Sequence, residues 1–222
     1  MSKLITQALA KFLGGIIAVG ALVFLPAGSF GFQQGWIFMG VLFIPIFIAG
    51  TVMLSKSPNL LRKRLNAKEK QKEQKGVVAA SGILFIASFA VAGLNWRYQW
   101  SILPQWVTWC ATGVFLISYL LYAEVMRENE YLSRTIEVQE GQRVIDTGLY
   151  GIVRHPMYTA TTLLFLSMPL ILGSLYSLFI MLLYVPLIII RIHHEEKILE
   201  VSLHGYTEYQ KRTKYRLIPL VW

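Results

Sequence analysis

The chain contains four long stretches without a charged residue or a histidine, and these stretches constrain its fold more than any other feature. They cover residues 12–55, 76–96, 98–123 and 156–190. A membrane-spanning helix needs about 20 mostly apolar residues, because the hydrocarbon core of a bilayer is about 30 Å thick. The two shorter stretches each fit one span, and the two longer ones each fit two spans if a turn divides them. The sequence therefore predicts a polytopic membrane protein.

Both longer stretches contain residues that favour a turn. In the first, residues 26–31 read Pro-Ala-Gly-Ser-Phe-Gly, which combines turn-forming residues with an aromatic suited to the membrane interface. In the second, Pro169 and Gly173-Ser174 interrupt the apolar run. The legs of this second hairpin are short, so we expect it either to tilt or to stop before it crosses. The predicted fold class is all-α, a transmembrane helical bundle of five or six spans whose first span is an uncleaved anchor.

The distribution of the remaining charges predicts an orientation. Only 15% of the 222 residues are charged, against about a quarter in a soluble domain, and the helices lack the polar face that a soluble bundle keeps. Eight of the 21 basic residues lie in the linker 56–75, together with two acidic ones. Because basic loops stay on the cytoplasmic side, we expect this linker, both termini and residues 124–155 to be cytoplasmic.

The formal charge of +9 is interpreted as contact with anionic headgroups. Nucleic-acid binding is not expected, because the linker has no interleaved aromatic residues and no nucleic-acid-binding module. The chain is predicted to divide into an N-terminal bundle of four spans, residues 1–123, and a C-terminal region, residues 124–222, with a transmembrane hairpin and a cytoplasmic tail. Cys110 is the only cysteine, so the chain can form neither an internal disulfide nor a thiolate metal site, and no metal site is predicted.

The first polar cluster, residues 146–158, contains Arg154-His155-Pro156. Its glycines allow the backbone to approach a ligand closely, and Pro156 suits the first turn of the helix that follows. Arg154 and His155 then stand at a helix N-terminus, where backbone N–H groups favour an anionic ligand. Taken alone, Arg154 also fits a simple anchor at the lipid headgroups.

Two further clusters lie at the end of the last span and in the tail. Arg191 and Glu195 are four residues apart, so they share a helix face, either as ligand-binding residues or as an ordinary ion pair at a helix end. His193 and His194 are adjacent and diverge by about 100° on a helix, so they cannot chelate one metal ion as a pair spaced four apart would. The tail, residues 204–219, alternates aromatic and basic residues, which indicates a segment folded onto the membrane surface or a plain interfacial anchor.

In order and spacing, the three clusters resemble the superfamily of isoprenylcysteine carboxyl methyltransferases and phospholipid methyltransferases. The resemblance covers roughly residues 120–222. The matching residues are Gly148-Leu149-Tyr150-Gly151-Ile152-Val153-Arg154-His155-Pro156-Met157-Tyr158, then Arg191, Glu195-Glu196 and Leu199, and then Gly205-Tyr206, Tyr209 and Arg216-Leu217-Ile218-Pro219. Each piece is weak alone, but three pieces in this order after hydrophobic spans are a specific signal.

The resemblance implies a membrane enzyme that transfers a methyl group from S-adenosylmethionine to a lipophilic substrate without a Rossmann domain or a metal ion. The cofactor-binding residues that it implies are Tyr150, Arg154, His155, Pro156, Tyr158, Glu195, Glu196 and Tyr206, and the implied catalytic residues are Arg191 and Glu195. A prenylcysteine carboxylate, with a pKa of about 3.3–3.7, needs no general base. A phospholipid amine needs a proton acceptor, for which His155, His193 and His194 are candidates. Both substrate classes stay open, with a slight preference for the carboxylate.

Two other functions compete with this interpretation. Membrane sterol reductases that use NADPH have a similar C-terminal region. They are longer, and they tend to carry Asp-x-x-Arg where this chain has Glu195-Glu196, so the transferase is preferred. A non-enzymatic membrane scaffold is the other alternative, and it would tolerate changes at Arg191 and Glu195.

Overall fold

The structure, a computed structural model, describes residues 2–65, 72–129, 131–132, 138 and 140–222. In chain order the helices are α1 (Ser2–Ala27), α2 (Gln33–Lys56), α3 (Pro58–Leu65), α4 (Lys72–Tyr98), α5 (Gln105–Glu128), a short 3-10 helix (Gly148–Gly151), α6 (Pro156–Ile171), α7 (Leu175–Leu182), α8 (Tyr184–Ser202) and α9 (Tyr206–Arg212). These described residues contain no strand, which confirms the predicted all-α fold.

Among the described residues, five helical segments are long and apolar enough to cross a membrane. They are Lys3–Ala27, Gln33–Lys56, Lys75–Tyr98, Gln105–Glu128 and Leu175–Ser202, the last of which combines α7 and α8. The α6 helix is apolar but has only 16 residues, about 24 Å at 1.5 Å per residue. It is therefore shorter than the hydrocarbon core. The prediction of five or six spans corresponds to five segments of spanning length and one short helix.

The turn between α6 and α7 reaches the loop that joins α4 to α5. Asn95 Nδ2 donates to the carbonyl oxygen of Gly173 (3.4 Å), and the backbone N–H of Leu175 donates to Ser101 Oγ (3.4 Å). Gly173 has a φ of 71°, a left-handed conformation that favours glycine. The short hairpin therefore extends to the same end of the bundle as the α4–α5 loop, rather than stopping before it.

One apolar core, rich in phenylalanine, joins α1, α2, α4, α5 and α6. Phe38 packs against the rings of Phe89 and Phe115 at its centre. The α1 and α4 backbones come together at Gly93, where a Cβ atom would lie 2.6 Å from the carbonyl oxygen of Val23. Because lipid tails are as apolar as the helices, such close packing through small residues is what holds spans together.

The end of the bundle opposite Gly173 collects the polar clusters. In α3, Arg64 Nη1 donates to the hydroxyl of Tyr122 in α5 (2.9 Å), and Glu128, at the end of α5, contacts the 3-10 helix. Residues 66–71 of the predicted linker lie outside the described residues. Because α6 packs on α5 and α7 on α4, the two predicted parts of the chain share one bundle.

Candidate functional site

The 3-10 helix at the start of the first polar cluster is fixed by the end of α5. The backbone N–H of Leu149 donates to Glu128 Oε2 (3.0 Å), and Asn129 Nδ2 donates to the Tyr150 hydroxyl (2.9 Å). Gly148 has a φ of 52°, and a side chain there would overlap the carboxylate of Glu128. A glycine is therefore needed both for this backbone conformation and for the close approach that positions Tyr150.

The C-terminal tail folds back across the start of α6. The backbone N–H of Arg154 donates to the carbonyl oxygen of Tyr215 (2.9 Å), and that of His155 donates to the carbonyl oxygen of Arg216 (2.9 Å). Pro156 occupies the first turn of α6, where its missing N–H is not needed. The sequence predicted that N–H groups at this helix start favour an anionic ligand, but those of Arg154 and His155 bond to the tail.

Glu196 of α8 lies at the centre of a buried ion cluster. Its side chain is enclosed, with the residue only 3% exposed. Arg154 Nε lies 2.7 Å and His155 Nε2 3.2 Å from Oε1, while Arg216 Nε lies 2.8 Å from Oε2. Arg154 Nη1 also donates to the carbonyl oxygen of Thr213 (2.8 Å). The cluster therefore ties together α8, the start of α6 and the tail, and both carboxylate oxygens are already bonded to protein groups.

A cavity opens beside this ion cluster. It encloses about 890 Å³ with its open mouth included. Its apolar walls come from residues such as Leu132, Ile198 and Leu203. The polar and aromatic residues that line it are Asn129, Tyr131, Gln142, Arg143, Tyr150, Arg154, His155, Tyr158, Arg191, Glu195, Tyr206 and Tyr209. The cavity therefore offers both signs of charge, several hydroxyl groups and an apolar surface.

Tyr158 links the two charged residues of α8 that face the cavity. Its hydroxyl donates to Glu195 Oε2 (2.6 Å) and accepts from Arg191 Nε (2.9 Å). The guanidinium of Arg191 also lies 6.0 Å from the centroid of the Tyr158 ring. Arg191 and Glu195, predicted to share a face of the helix, are thus held in one cluster by a tyrosine from α6.

Tyr206 brings a buried hydroxyl to the cavity. The residue is 4% exposed, and its hydroxyl has no hydrogen-bond partner among the described residues. Burial, followed by the negative charges of Glu196 and Glu195, raises the pKa of this hydroxyl well above its usual value, so it remains a proton donor at neutral pH. Burial also raises the pKa of Tyr150 to about 12. A buried hydroxyl without a partner is unfavourable by roughly 1–3 kcal/mol, so an acceptor on a ligand would stabilise it.

The structure brings most of the residues selected from the sequence to this cavity. Those that line it are Tyr150, Arg154, His155, Tyr158, Arg191, Glu195 and Tyr206. Pro156 and Glu196 do not line it: Pro156 is buried in the first turn of α6, and Glu196 is enclosed by Arg154, His155 and Arg216. Neither His193 nor His194 lines it, and His193 is exposed, with Nδ1 2.7 Å from the carbonyl oxygen of Ile189. The roles of all these residues stay predictions.

Several polar lining residues lie outside the residues selected from the sequence. Asn129, Gln142 and Arg143 come before the first motif and carry no recognisable pattern. Tyr209 at the cavity and Arg216 in the ion cluster do belong to the matching residues of the tail. For these two, the order and spacing of the motifs were the available signal, whereas their contacts depend on how the tail folds back.

Comparison with known proteins gives two results. Residues 106–204 match the family model described as phospholipid methyltransferase. A curated relative, the Delta(14)-sterol reductase of Mus musculus, is 33% identical over 91 residues, which is 40% of this chain and 22% of the reductase. The chain thus spans about a fifth of the length of that relative.

The family match supports a membrane methyltransferase, and the partial likeness to a sterol reductase fits the reductase alternative less well. The matched segment begins in α5 and contains the 3-10 helix, Arg154, Tyr158, Arg191 and Glu195. It therefore includes the part of the cavity where the charged side chains meet. The resemblance seen in the sequence motifs is confirmed: the family that residues 106–204 match belongs to the superfamily of isoprenylcysteine carboxyl and phospholipid methyltransferases.

Proposed function

We propose that the protein is an integral membrane methyltransferase that uses S-adenosylmethionine and acts on a lipophilic substrate. The observation that carries this proposal is the cluster of Arg191, Tyr158 and Glu195 inside a cavity at one end of an apolar bundle. These residues lie within the segment that matches the methyltransferase family. Site and family therefore support the same class of reaction.

The cavity residues fit the chemical groups of this cofactor. A guanidinium such as Arg191 can pair with its carboxylate, and Glu195 can accept hydrogen bonds from its ammonium or ribose hydroxyls. Tyr206 offers a buried donor that lacks an acceptor, and Tyr150 offers an aromatic face for the adenine. When bound, the cofactor supplies an electrophilic methyl group on a sulfonium. The negative carboxylate of Glu195 would stabilise the positive charge of that sulfonium.

The residues of the chain then act by binding and orienting the reactants. Methyl transfer is an in-line displacement, and holding two reactants in the right geometry supplies up to roughly 7–11 kcal/mol of the barrier reduction. Tyr158 fixes Arg191 and Glu195 relative to each other through its two hydrogen bonds. The cationic Arg191 also attracts an anionic group of the substrate.

The surroundings of the histidines favour a nucleophile that needs no base. His155 Nε2 lies 3.2 Å from Glu196 Oε1, and neither His193 nor His194 lines the cavity. We therefore prefer a lipid-attached carboxylate, such as that of a prenylcysteine, over a phospholipid amine, which must first lose a proton. The basic linker supports a cytoplasmic position for the cavity and for both termini.

Binding of cofactors to the purified protein in detergent separates the transferase from the reductase. We expect saturable binding of S-adenosylmethionine by calorimetry and none of NADPH. The protein should also transfer a labelled methyl group to a component of fractionated membrane lipids, which identifies the substrate. Binding of NADPH without S-adenosylmethionine would favour a reductase, and binding of neither would favour a scaffold.

Replacement of Arg191 tests the site itself. We expect Arg191→Ala to lower methyl transfer by about ten- to a hundredfold, because charged hydrogen bonds contribute about 1.5–3 kcal/mol. Expression and the melting temperature in detergent should stay near those of the unmodified protein. Lys197→Ala is the matched control, since it removes one positive charge from an exposed position on the same helix. Unchanged activity in Arg191→Ala would contradict the assigned site.

A further inference from the structure

A second, mostly apolar groove lies at the linker end of the bundle, between α1, α2 and α3. Its walls include Phe12 of α1 and Phe43 and Phe47 of α2, with Leu61 of α3 at one end. Gly50 leaves open space in the α2 wall, because a Cβ atom there would meet nothing within 4 Å. The groove encloses about 1270 Å³ with its open side included. A surface of this kind suits hydrocarbon chains.

Arg64 is one of the residues that line this groove, and two of its guanidinium nitrogens have no hydrogen-bond partner among the described residues. The residue is only 7% exposed. Nη1 donates to the hydroxyl of Tyr122 (2.9 Å), whereas Nε and Nη2 are buried without a hydrogen-bond partner among the described residues. These two nitrogens form one edge of the guanidinium, which matches the two oxygens of a phosphate or carboxylate. The guanidinium also lies 5.6 Å from the centroid of the Tyr122 ring, and a buried cation with two such donors suits an anionic ligand.

The charge of the groove supports the same conclusion. Lys11 also lines it and donates to the carbonyl oxygen of Leu65, close to the end of α3. No acidic side chain is present among the described residues that line the groove. Two positive charges therefore accompany apolar walls, at the end of the bundle where the sequence predicts contact with headgroups.

We propose that this groove binds an anionic phospholipid of the surrounding bilayer. The phosphate accepts hydrogen bonds from Nε and Nη2 of Arg64, Lys11 adds a second positive charge, and the acyl chains lie along the phenylalanines of α1 and α2. This site is distinct from the methyltransferase cavity, because none of the residues that line the groove lines that cavity. The proposal does not depend on methyl transfer.

Native mass spectrometry of the full chain in detergent tests the charged end. The protein is titrated with phosphatidylglycerol and with phosphatidylcholine of the same acyl chains. We expect phosphatidylglycerol to be retained preferentially, and Arg64→Gln to weaken its retention by at least about tenfold. Arg62→Gln removes the same charge from an exposed position on the same helix and should bind like the unmodified protein. Equal retention of the two lipids, or undiminished binding in Arg64→Gln, would overturn the proposal.

A second pair of variants tests the apolar end and does not disturb Arg64. Gly50→Leu places a side chain in the groove and should also reduce phosphatidylglycerol retention by about tenfold, with an unchanged melting temperature in lipid-free detergent. Gly14→Leu, on an exposed part of α1 that does not line the groove, should leave retention unchanged. Retention in Gly50→Leu equal to that in Gly14→Leu, or displacement of the lipid by an equal concentration of soluble glycerol phosphate, would contradict an acyl-chain site.

Discussion

Two adjacent glutamates of α8 lie in polar regions of different kinds. The carboxylate of Glu196 is enclosed by Arg154, His155 and Arg216, with contacts of 2.7–3.2 Å. The carboxylate of Glu195 lines the cavity and accepts from the Tyr158 hydroxyl. Because successive residues on a helix diverge by about 100°, one step along the chain separates a structural ion cluster from a group that can meet a ligand.

Whether a polar residue of α8 stabilises the fold or can meet a ligand depends on its burial and on its partners. In the Glu196 cluster both carboxylate oxygens are paired with protein groups, so removing the carboxylate leaves the guanidinium of Arg154 buried without compensation. In the Glu195 cluster part of the surroundings is open cavity, so the same change alters what can bind there. The two glutamates should therefore respond in opposite ways to the same substitution.

The largest effect is expected from Glu196→Gln. This change keeps the shape of the side chain but removes the negative charge that pairs with the guanidinium groups of Arg154 and Arg216. We expect a loss of stability of about 3–5 kcal/mol, seen as a much lower melting temperature in detergent and poor recovery of monodisperse protein. Glu200→Gln, at an exposed position of the same helix, should melt like the unmodified protein. Normal melting of Glu196→Gln would show that the cluster does not hold the tail in place.

Glu195→Gln should show the reverse behaviour. The amide keeps the volume of the side chain but loses the charge that we assign to the cofactor. We expect S-adenosylmethionine affinity to fall about ten- to a hundredfold, from charged hydrogen bonds of about 1.5–3 kcal/mol, with little change in melting temperature. Calorimetric titration and thermal melting of the same preparation measure both quantities. A variant that binds normally but melts early would mean that Glu195 is structural, like its neighbour.

The fold could be predicted largely because it depends on properties of continuous segments. Charge-free runs predicted the spans. The turn residues at 26–31 and at Gly173-Ser174 predicted the connections between α1 and α2 and between α6 and α7, where the structure also has them. The free energy of transferring an apolar segment into lipid largely determines which segments span the membrane. It can be evaluated for each segment separately. The hairpin of the short α6 and α7 departs from one of the two expected outcomes: it does not stop early but extends to the α4–α5 loop.

The site could be predicted only in part because it depends on contacts distant in sequence. Spacing placed Arg191 and Glu195 on one face, but which of Glu195 and Glu196 faces the cavity depends on the rotation of α8, which buried residues such as Ile188 and Ile192 fix by packing. The partners of Glu196 lie about 20 to 40 positions away along the chain. Arg64 was expected at the headgroups with the rest of the linker, yet its contact with Tyr122 of α5 buries it. Segment properties carry no information about such pairings.

The smallest effect is expected at Tyr206 and Tyr209, two tyrosines of the cavity lining whose hydroxyl groups differ in their hydrogen bonds. The Tyr209 hydroxyl donates to the carbonyl oxygen of Tyr150 (2.7 Å), whereas the Tyr206 hydroxyl has no partner among the described residues. Tyr206→Phe should keep or slightly raise the melting temperature of the ligand-free protein. It should weaken the binding of S-adenosylmethionine by about fivefold, or about 1 kcal/mol. Tyr209→Phe should instead lower the melting temperature while affinity changes little. If Tyr206→Phe binds as tightly as the unmodified protein, the bound cofactor does not reach this hydroxyl, and the binding region narrows to the side of the cavity around Arg191 and Glu195.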